Sequence, residues 1–241
     1  MTVRLTIAAA MTAILSLIGL MTLPAFADET VTVGGAQAVL IKPHGAAKGS
    51  LILMAGGNGQ LNIGPGGAIG SLKGNQVVRT RHAYAERGFA VLVPDANINL
   101  AAAVKYMDGI AKPVTVVGTS RGTQRAAEGI GAGARPDALV LTSGFLSPQS
   151  GQGVNRHVIK LVGGSPNVLP RTLVIHHRHD GCHFTQPSGV QPFLDWAKGK
   201  ASVVWLDGGA NNGDPCQAGG HHGFAGLDNQ VVDAVVKFAA K

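Results

Sequence analysis

Six short apolar runs recur along the chain, at Ser50–Met54, Phe89–Val93, Pro113–Val117, Ala138–Leu141, Thr172–Ile175 and Ala201–Trp205. Most are apolar at nearly every position, as strands buried on both faces must be. Patterns of a different period lie between and after them. Residues 76–87, from Gln76 through Val77, Ala83 and Ala85 to Arg87, predict a helix, as do residues 99–111. Residues 228–239 carry Val231, Val232, Val235, Val236 and Phe238, an apolar face at helical spacing. Strands alternating with helices predict a parallel sheet covered on both faces. Residues 31–42 add antiparallel edge strands. The Gly-rich stretches 56–74 and 208–223 fall between elements and read as loops, and no internal repeat or linker interrupts the pattern. Ligands of such sheets bind where loops leave the carboxyl ends of the strands, so chemistry is sought there.

The N-terminus departs from this alternation. Residues 1–27 hold one charged side chain, Arg4, then an apolar run from Leu5 to Leu20, and close on Pro24-Ala25-Phe26-Ala27. A basic start, an apolar middle and a small-x-small ending form a secretory signal peptide, which predicts cleavage near Ala27 and export to the periplasm or beyond. The apolar run is shorter than the ~20 residues that span a bilayer, so no stable membrane insertion is expected, a retained N-terminal anchor being the alternative. Residues 28–241 then suit one domain with a sizeable core.

Charge narrows the classes further. The chain has 20 Lys plus Arg against 13 Asp plus Glu, with 5% aromatic residues. The positives are scattered singly, without the basic stripe and stacking aromatics of a nucleic-acid binder. The excess reads as a solubility feature, with mild attraction for anions as the alternative. Two cysteines, Cys182 and Cys216, in an exported chain predict one disulfide, worth ~3 to 4 kcal/mol for a loop of this length in the chain-entropy model.

The sharpest local signal is Val114-Thr115-Val116-Val117-Gly118-Thr119-Ser120-Arg121-Gly122, followed by helical character from Thr123 to Ile130. It places G-x-S-x-G between a buried strand and a helix. A serine at such a turn is pushed out of the sheet edge, and the residues two positions either side must be small. Ser120 is therefore the candidate nucleophile. A serine nucleophile needs a base and an orienting acid. Asp180 lies just past the strand at 172–175, where that acid would sit. His222 precedes the last helix and is followed by Gly223-Phe224; it is chosen as base over its neighbour His221, and Asp214 is the reserve acid. The order Ser120, Asp180, His222 is the chain order of the triad on this kind of sheet. Cys182 is two residues past Asp180 and Cys216 six before His222, so their bond would tie the acid loop to the histidine loop. The oxyanion hole needs two backbone donors. Arg121 supplies one and the loop Ala55-Gly56-Gly57-Asn58-Gly59 the other, with Gly57 and Asn58 as candidates.

On Gly56-Gly57-Asn58-Gly59, Gly118-Thr119-Ser120-Arg121-Gly122, His179-Asp180-Gly181-Cys182 and His222-Gly223-Phe224, the chain resembles the α/β-hydrolase superfamily over nearly all of residues 28–241. The resemblance implies a doubly wound, mostly parallel eight-stranded sheet with helices on both faces. It also implies cleavage of an ester-like bond of a small-molecule acyl substrate through an acyl-enzyme. No cofactor is needed for that chemistry. The oxyanion loop lacks the His of the lipase and esterase motif, and Arg121 is a bulky cation beside the nucleophile. The short segment between the strands at 138–141 and 172–175 predicts little or no cap. Two rival readings remain. One is an exported metal-binding protein, since six of nine histidines lie at 176, 177, 179, 183, 221 and 222. The other keeps the fold as an inactive binding module. For His44, His82 and His157 a structural role is expected.

Overall fold

Eight strands form one sheet in the order β1-β2-β4-β3-β5-β6-β7-β8. They are β1 (Asp28–Val33), β2 (Ala36–Ile41), β3 (Ser50–Met54), β4 (Ala90–Pro94), β5 (Val114–Thr119), β6 (Ala138–Thr142), β7 (Arg171–His177) and β8 (Ala201–Leu206). The computed structural model describes residues 26–241. Apart from Phe26 and Ala27, the expected signal peptide lies outside the described residues. β2 runs antiparallel to β1 and β4, and every other pairing is parallel. All five residues of β3 are buried, four of them apolar, and β4 is buried throughout, which explains their nearly continuous hydrophobic character.

Helices cover both faces. α3 (Leu100–Asp108), α4 (Arg121–Gly131), α5 (Val158–Leu161) and α6 (Val190–Trp196) pack on one side. α1 (Gln76–Arg79), α2 (Arg81–Glu86) and α7 (Asp228–Ala239) pack on the other. Strand residues alternate between the two layers. Ile52 and Met54 join the α3–α4 side, and Leu51 and Leu53 the α7 side. Each fully buried Leu, Ile or Val contributes ~1.5 to 3 kcal/mol.

One helical prediction is corrected, and one helix is new. The helix expected over residues 76–87 breaks at Thr80, whose hydroxyl donates to the Gln76 carbonyl at 2.7 Å and whose backbone leaves helical geometry. α6, for which the apolar pattern predicted no element, carries Pro192 in its first turn, where proline is tolerated. Between β6 and β7 there are only two short 3-10 turns and the four-residue α5, so this segment builds no separate cap domain. Among the described residues no helix is long and apolar enough to cross a membrane. The carboxyl ends of β3, β5 and β7 open on one edge, where β4 and β5 flank β3 on opposite sides. That edge carries the Gly56–Gly59 loop, Ser120 and Asp180.

Candidate active site

At the end of β5 the chain turns into α4 through Ser120, with φ 51° and ψ −123°. A non-glycine residue held there stores ~1 to 3 kcal/mol of strain. The Ser120 N–H donates to the Thr142 carbonyl at 2.9 Å, and its own carbonyl accepts from Thr123 N–H at 2.9 Å and the Thr123 hydroxyl at 2.6 Å. The flanking glycines answer a close approach. A Cβ on Gly118 would sit 2.8 Å from the Gly122 carbonyl oxygen, and one on Gly122 would strike the Met54 carbonyl.

Asp180 and His222 come together from loops 42 residues apart. His222 Nδ1 lies 3.1 Å from Asp180 Oδ2, with both residues buried. A carboxylate only accepts, so the proton is on Nδ1 and the Nε2 lone pair faces outward. Asp180 is further fixed by the Cys182 N–H at 2.9 Å and the Thr185 hydroxyl at 3.1 Å. That hydroxyl also lies 3.0 Å from His222 Nδ1, where it accepts a second branch of the same N–H. From the backbone side, the buried Ser143 hydroxyl donates to the His222 carbonyl at 2.8 Å. Arg79 donates to the Gly223 carbonyl at 2.7 Å while pairing with Asp228 at the start of α7.

His221 goes elsewhere. Its ring stacks on His177 at a centroid distance of 4.0 Å, and its Nδ1 pairs with the His179 carbonyl at 3.0 Å. The reserve acid Asp214 is exposed and accepts from Cys216 N–H at 2.7 Å. The disulfide Cys182–Cys216 is formed and links the two loops.

The 55–59 loop is held by one side chain. Arg125, on α4, donates to the carbonyls of Ala55, Gly56 (3.4 Å) and Gly57 (3.2 Å). Gly59, at φ +74°, makes room for it, since a Cβ there would lie 2.7 Å from the guanidinium carbon. Burial, and then the charge of Arg121, push the Arg125 pKa down, but a guanidinium stays charged. With its carbonyls turned back towards Arg125, the loop is free to present N–H groups on its other side. Gly57 borders the cleft beside Ser120 and Arg121. Asn58 is exposed, and its side chain turns to Gln60 at 3.1 Å. As the first residue of α4, Arg121 has an N–H without an intrahelical acceptor.

Ser120, His222 and Gly57 line one cleft of about 340 Å³, with Cys182 and Cys216 in its wall. Both ring contacts of His222 are made by Nδ1. Among the described residues Nε2 has no hydrogen bond and Ser120 Oγ has not closed one to it, a common feature of unliganded sites. Beneath the pair, His176 is fully buried with its Nε2 3.9 Å from Asp180 Oδ2. Burial pushes its pKa below the usual value against the pull of Asp180, so it is neutral.

The other histidines have structural partners. His82 pairs with Asp28 at 2.7 Å, His44 stacks on Phe26, and His157 accepts from Lys160 N–H at the start of α5. Among the described residues no three His, Cys, Asp or Glu side chains converge as metal ligands. His177 illustrates why: one ring nitrogen is taken by the Gly208 carbonyl and the other by His179 N–H. Thr185, Ser143 and Arg125 escaped the sequence reading. Their partners lie 37 to 79 residues away, apart from Asp180 near Thr185, and no local spacing marks them.

Solved structures share this architecture. A Thermus thermophilus protein superposes with a TM-score of 0.62 at 16% identity, over 90% of this chain and 98% of that one. The esterase domain of a Rhodothermus marinus protein gives 0.62 at 15%, over 88% and 97%. A Pyrococcus furiosus esterase gives 0.61 at 14%, over 88% of each. No family model matches the chain, and no curated protein matches its sequence. The fold is that of the α/β-hydrolases, with an eight-stranded, mostly parallel sheet.

Proposed function

We propose that this protein is a serine hydrolase that cleaves an ester-like bond of a small acyl substrate through an acyl-enzyme. Ser120 is the nucleophile, His222 the base and Asp180 the orienting acid. The observation that carries this reading is the 3.1 Å contact between His222 and Asp180, in a cleft shared with a serine held at positive φ. Several similar structures are named esterases or lipases, which supports the same class.

Ser120 Oγ adds to the substrate carbonyl carbon as its proton passes to His222 Nε2. Asp180 and the Thr185 hydroxyl hold the ring in the tautomer that accepts that proton and stabilise the imidazolium. The developing oxyanion is met by the Arg121 N–H and by a second N–H from the 55–59 loop, for which the cleft position favours Gly57 over Asn58. His222 returns the proton to the departing alkoxide. Water then attacks the acyl-enzyme with His222 again as base, releasing the acid and restoring Ser120. No step needs a metal. The disulfide suits an oxidising compartment, in agreement with the export expected of the N-terminal segment.

The test is a series of 4-nitrophenyl esters of rising chain length, with Ser120→Ala as control and EDTA in a parallel series. The reading expects hydrolysis that survives chelation and disappears in the variant. Equal turnover by Ser120→Ala, or loss on chelation with recovery on adding zinc, would contradict it.

A further inference from the structure

The cleft does not end at Ser120. A second pocket of about 220 Å³ adjoins it, and the two share Arg121, Phe145 and Phe184 in their linings. The phenyl rings stack at 6.1 Å, Phe145 buried and Phe184 exposed. They give the passage between the chambers an apolar wall. Neither lining contains a carboxylate, and the side pocket adds a second cation, Arg156. Arg156 is already paired with Glu128 on α4. Arg125 is committed to the carbonyls of the 55–59 loop and lines neither chamber. Arg121 differs from both: it is exposed, and among the described residues it has neither an ion pair nor a hydrogen bond.

We propose that the substrate is a carboxylate-bearing ester, with its ester carbonyl at Ser120, its apolar portion along Phe145 and Phe184, and its carboxylate on Arg121. This deepens the hydrolase reading and rests on it. One uncompensated cation matches a single negative charge, and the planar guanidinium fork matches a carboxylate in particular. The neighbouring Arg125 charge, which repels Arg121, reinforces the attraction for an anion. Such a bond in a partly enclosed site supports a discrimination of about tenfold to a hundredfold over a neutral isostere.

The experiment has two arms. In the first, kcat/KM is measured for 4-nitrophenyl hydrogen glutarate and for 4-nitrophenyl butyrate. Wild type prefers the glutarate, and the preference weakens as salt rises. Arg121→Gln lowers the glutarate-to-butyrate ratio by about tenfold or more, while Arg121→Lys retains part of it. A wild-type preference for butyrate, or an unchanged ratio in Arg121→Gln, overturns the proposal. In the second arm, calorimetry compares monomethyl glutarate with dimethyl glutarate on Ser120→Ala, with and without Arg121→Gln. Tighter binding of the monoester that depends on Arg121 supports the anion site even if neither nitrophenyl ester is cleaved, in which case the hydrolase reading alone fails. Cleavage of both esters with no difference between the two ligands leaves the hydrolase reading standing and removes the anion site.

Discussion

Two loops border the cleft and are held in different ways. The 55–59 loop is short, leaves the buried end of β3, and is fixed by the Arg125 guanidinium, which donates to three of its carbonyls. The 207–223 loop is long and Gly-rich, and is tied at several points: a disulfide to Cys182, Ser143 to the His222 carbonyl, Arg79 to the Gly223 carbonyl. A disulfide limits the distance between two loops and leaves the direction of their groups free. Hydrogen bonds to three successive carbonyls set direction, because turning the carbonyls one way turns the amides the other. The first suits a histidine, whose ring is oriented by Asp180 and Thr185. The second suits an oxyanion donor, which must point at one place in space. Arg125 is also four residues after Arg121 on α4, so both proposed donors are referred to the same helix.

This contrast yields a ranked set of outcomes. The largest effect belongs to the histidine itself. His222→Gln lowers kcat by about 10³-fold or more, since a serine without its base retains only the contribution of the oxyanion hole and binding. His221→Gln, which loses a stacking partner, costs less than about tenfold. Ester kinetics on the purified variants decide it, and the reverse ranking would shift the base by one residue.

Next comes the guanidinium. Arg125→Gln lowers kcat by about 100-fold, the cost of losing one oxyanion donor, and changes KM little. Arg125→Lys recovers part of the loss by reaching one carbonyl. A variant whose KM rises while kcat holds would show that the loop shapes the binding site rather than the oxyanion hole.

The disulfide ranks third. Cys182→Ser with Cys216→Ser lowers kcat by about tenfold, because ångström-scale misplacement of a reacting group is costly. It also lowers Tm, while the far-UV spectrum is kept, since both cysteines lie outside the strands and helices. Unchanged kcat and Tm would make the bond incidental to the site.

The smallest effect tests the floor of the site. His176 is buried neutral, and burial lowers its pKa from the ordinary 6.5. Between that value and the lower folded one the unfolded chain binds more protons. The stability it contributes is therefore complete above about pH 6.5 and is lost as pH falls through the folded value, by at most ~1.4 kcal/mol per pH unit. Thermal unfolding from pH 7 to pH 4 should show a shallower decline in His176→Asn than in wild type. Parallel declines would mean that His176 is solvated.

The same contrast explains what could be read from the sequence. Strand positions agree to within a residue or two at most ends, because continuous burial forces continuous hydrophobicity: β3 coincides with the run Ser50–Met54. The strand-to-helix turn at Ser120 was legible because Gly118 and Gly122 answer a local crowding. The cysteine pair was legible because two cysteines allow one pairing. Arg125 was not, since nothing in Gly122-Thr123-Gln124-Arg125 reveals that carbonyls 68 to 70 residues earlier fold onto its guanidinium. Thr185 stayed hidden for the same reason: its hydroxyl bridges Asp180 to a histidine 37 residues away. The break at Thr80 comes from one side-chain hydrogen bond that competes with the helix, which periodicity does not register.

The most direct test is covalent labelling of the folded protein with a fluorophosphonate, followed by peptide mass spectrometry. A serine activated by His222 and Asp180 is modified at Ser120, and the adduct is absent from Ser120→Ala and strongly reduced in His222→Gln. An unmodified wild-type protein, or labelling that persists in Ser120→Ala, would contradict the assignment of Ser120 as an activated nucleophile.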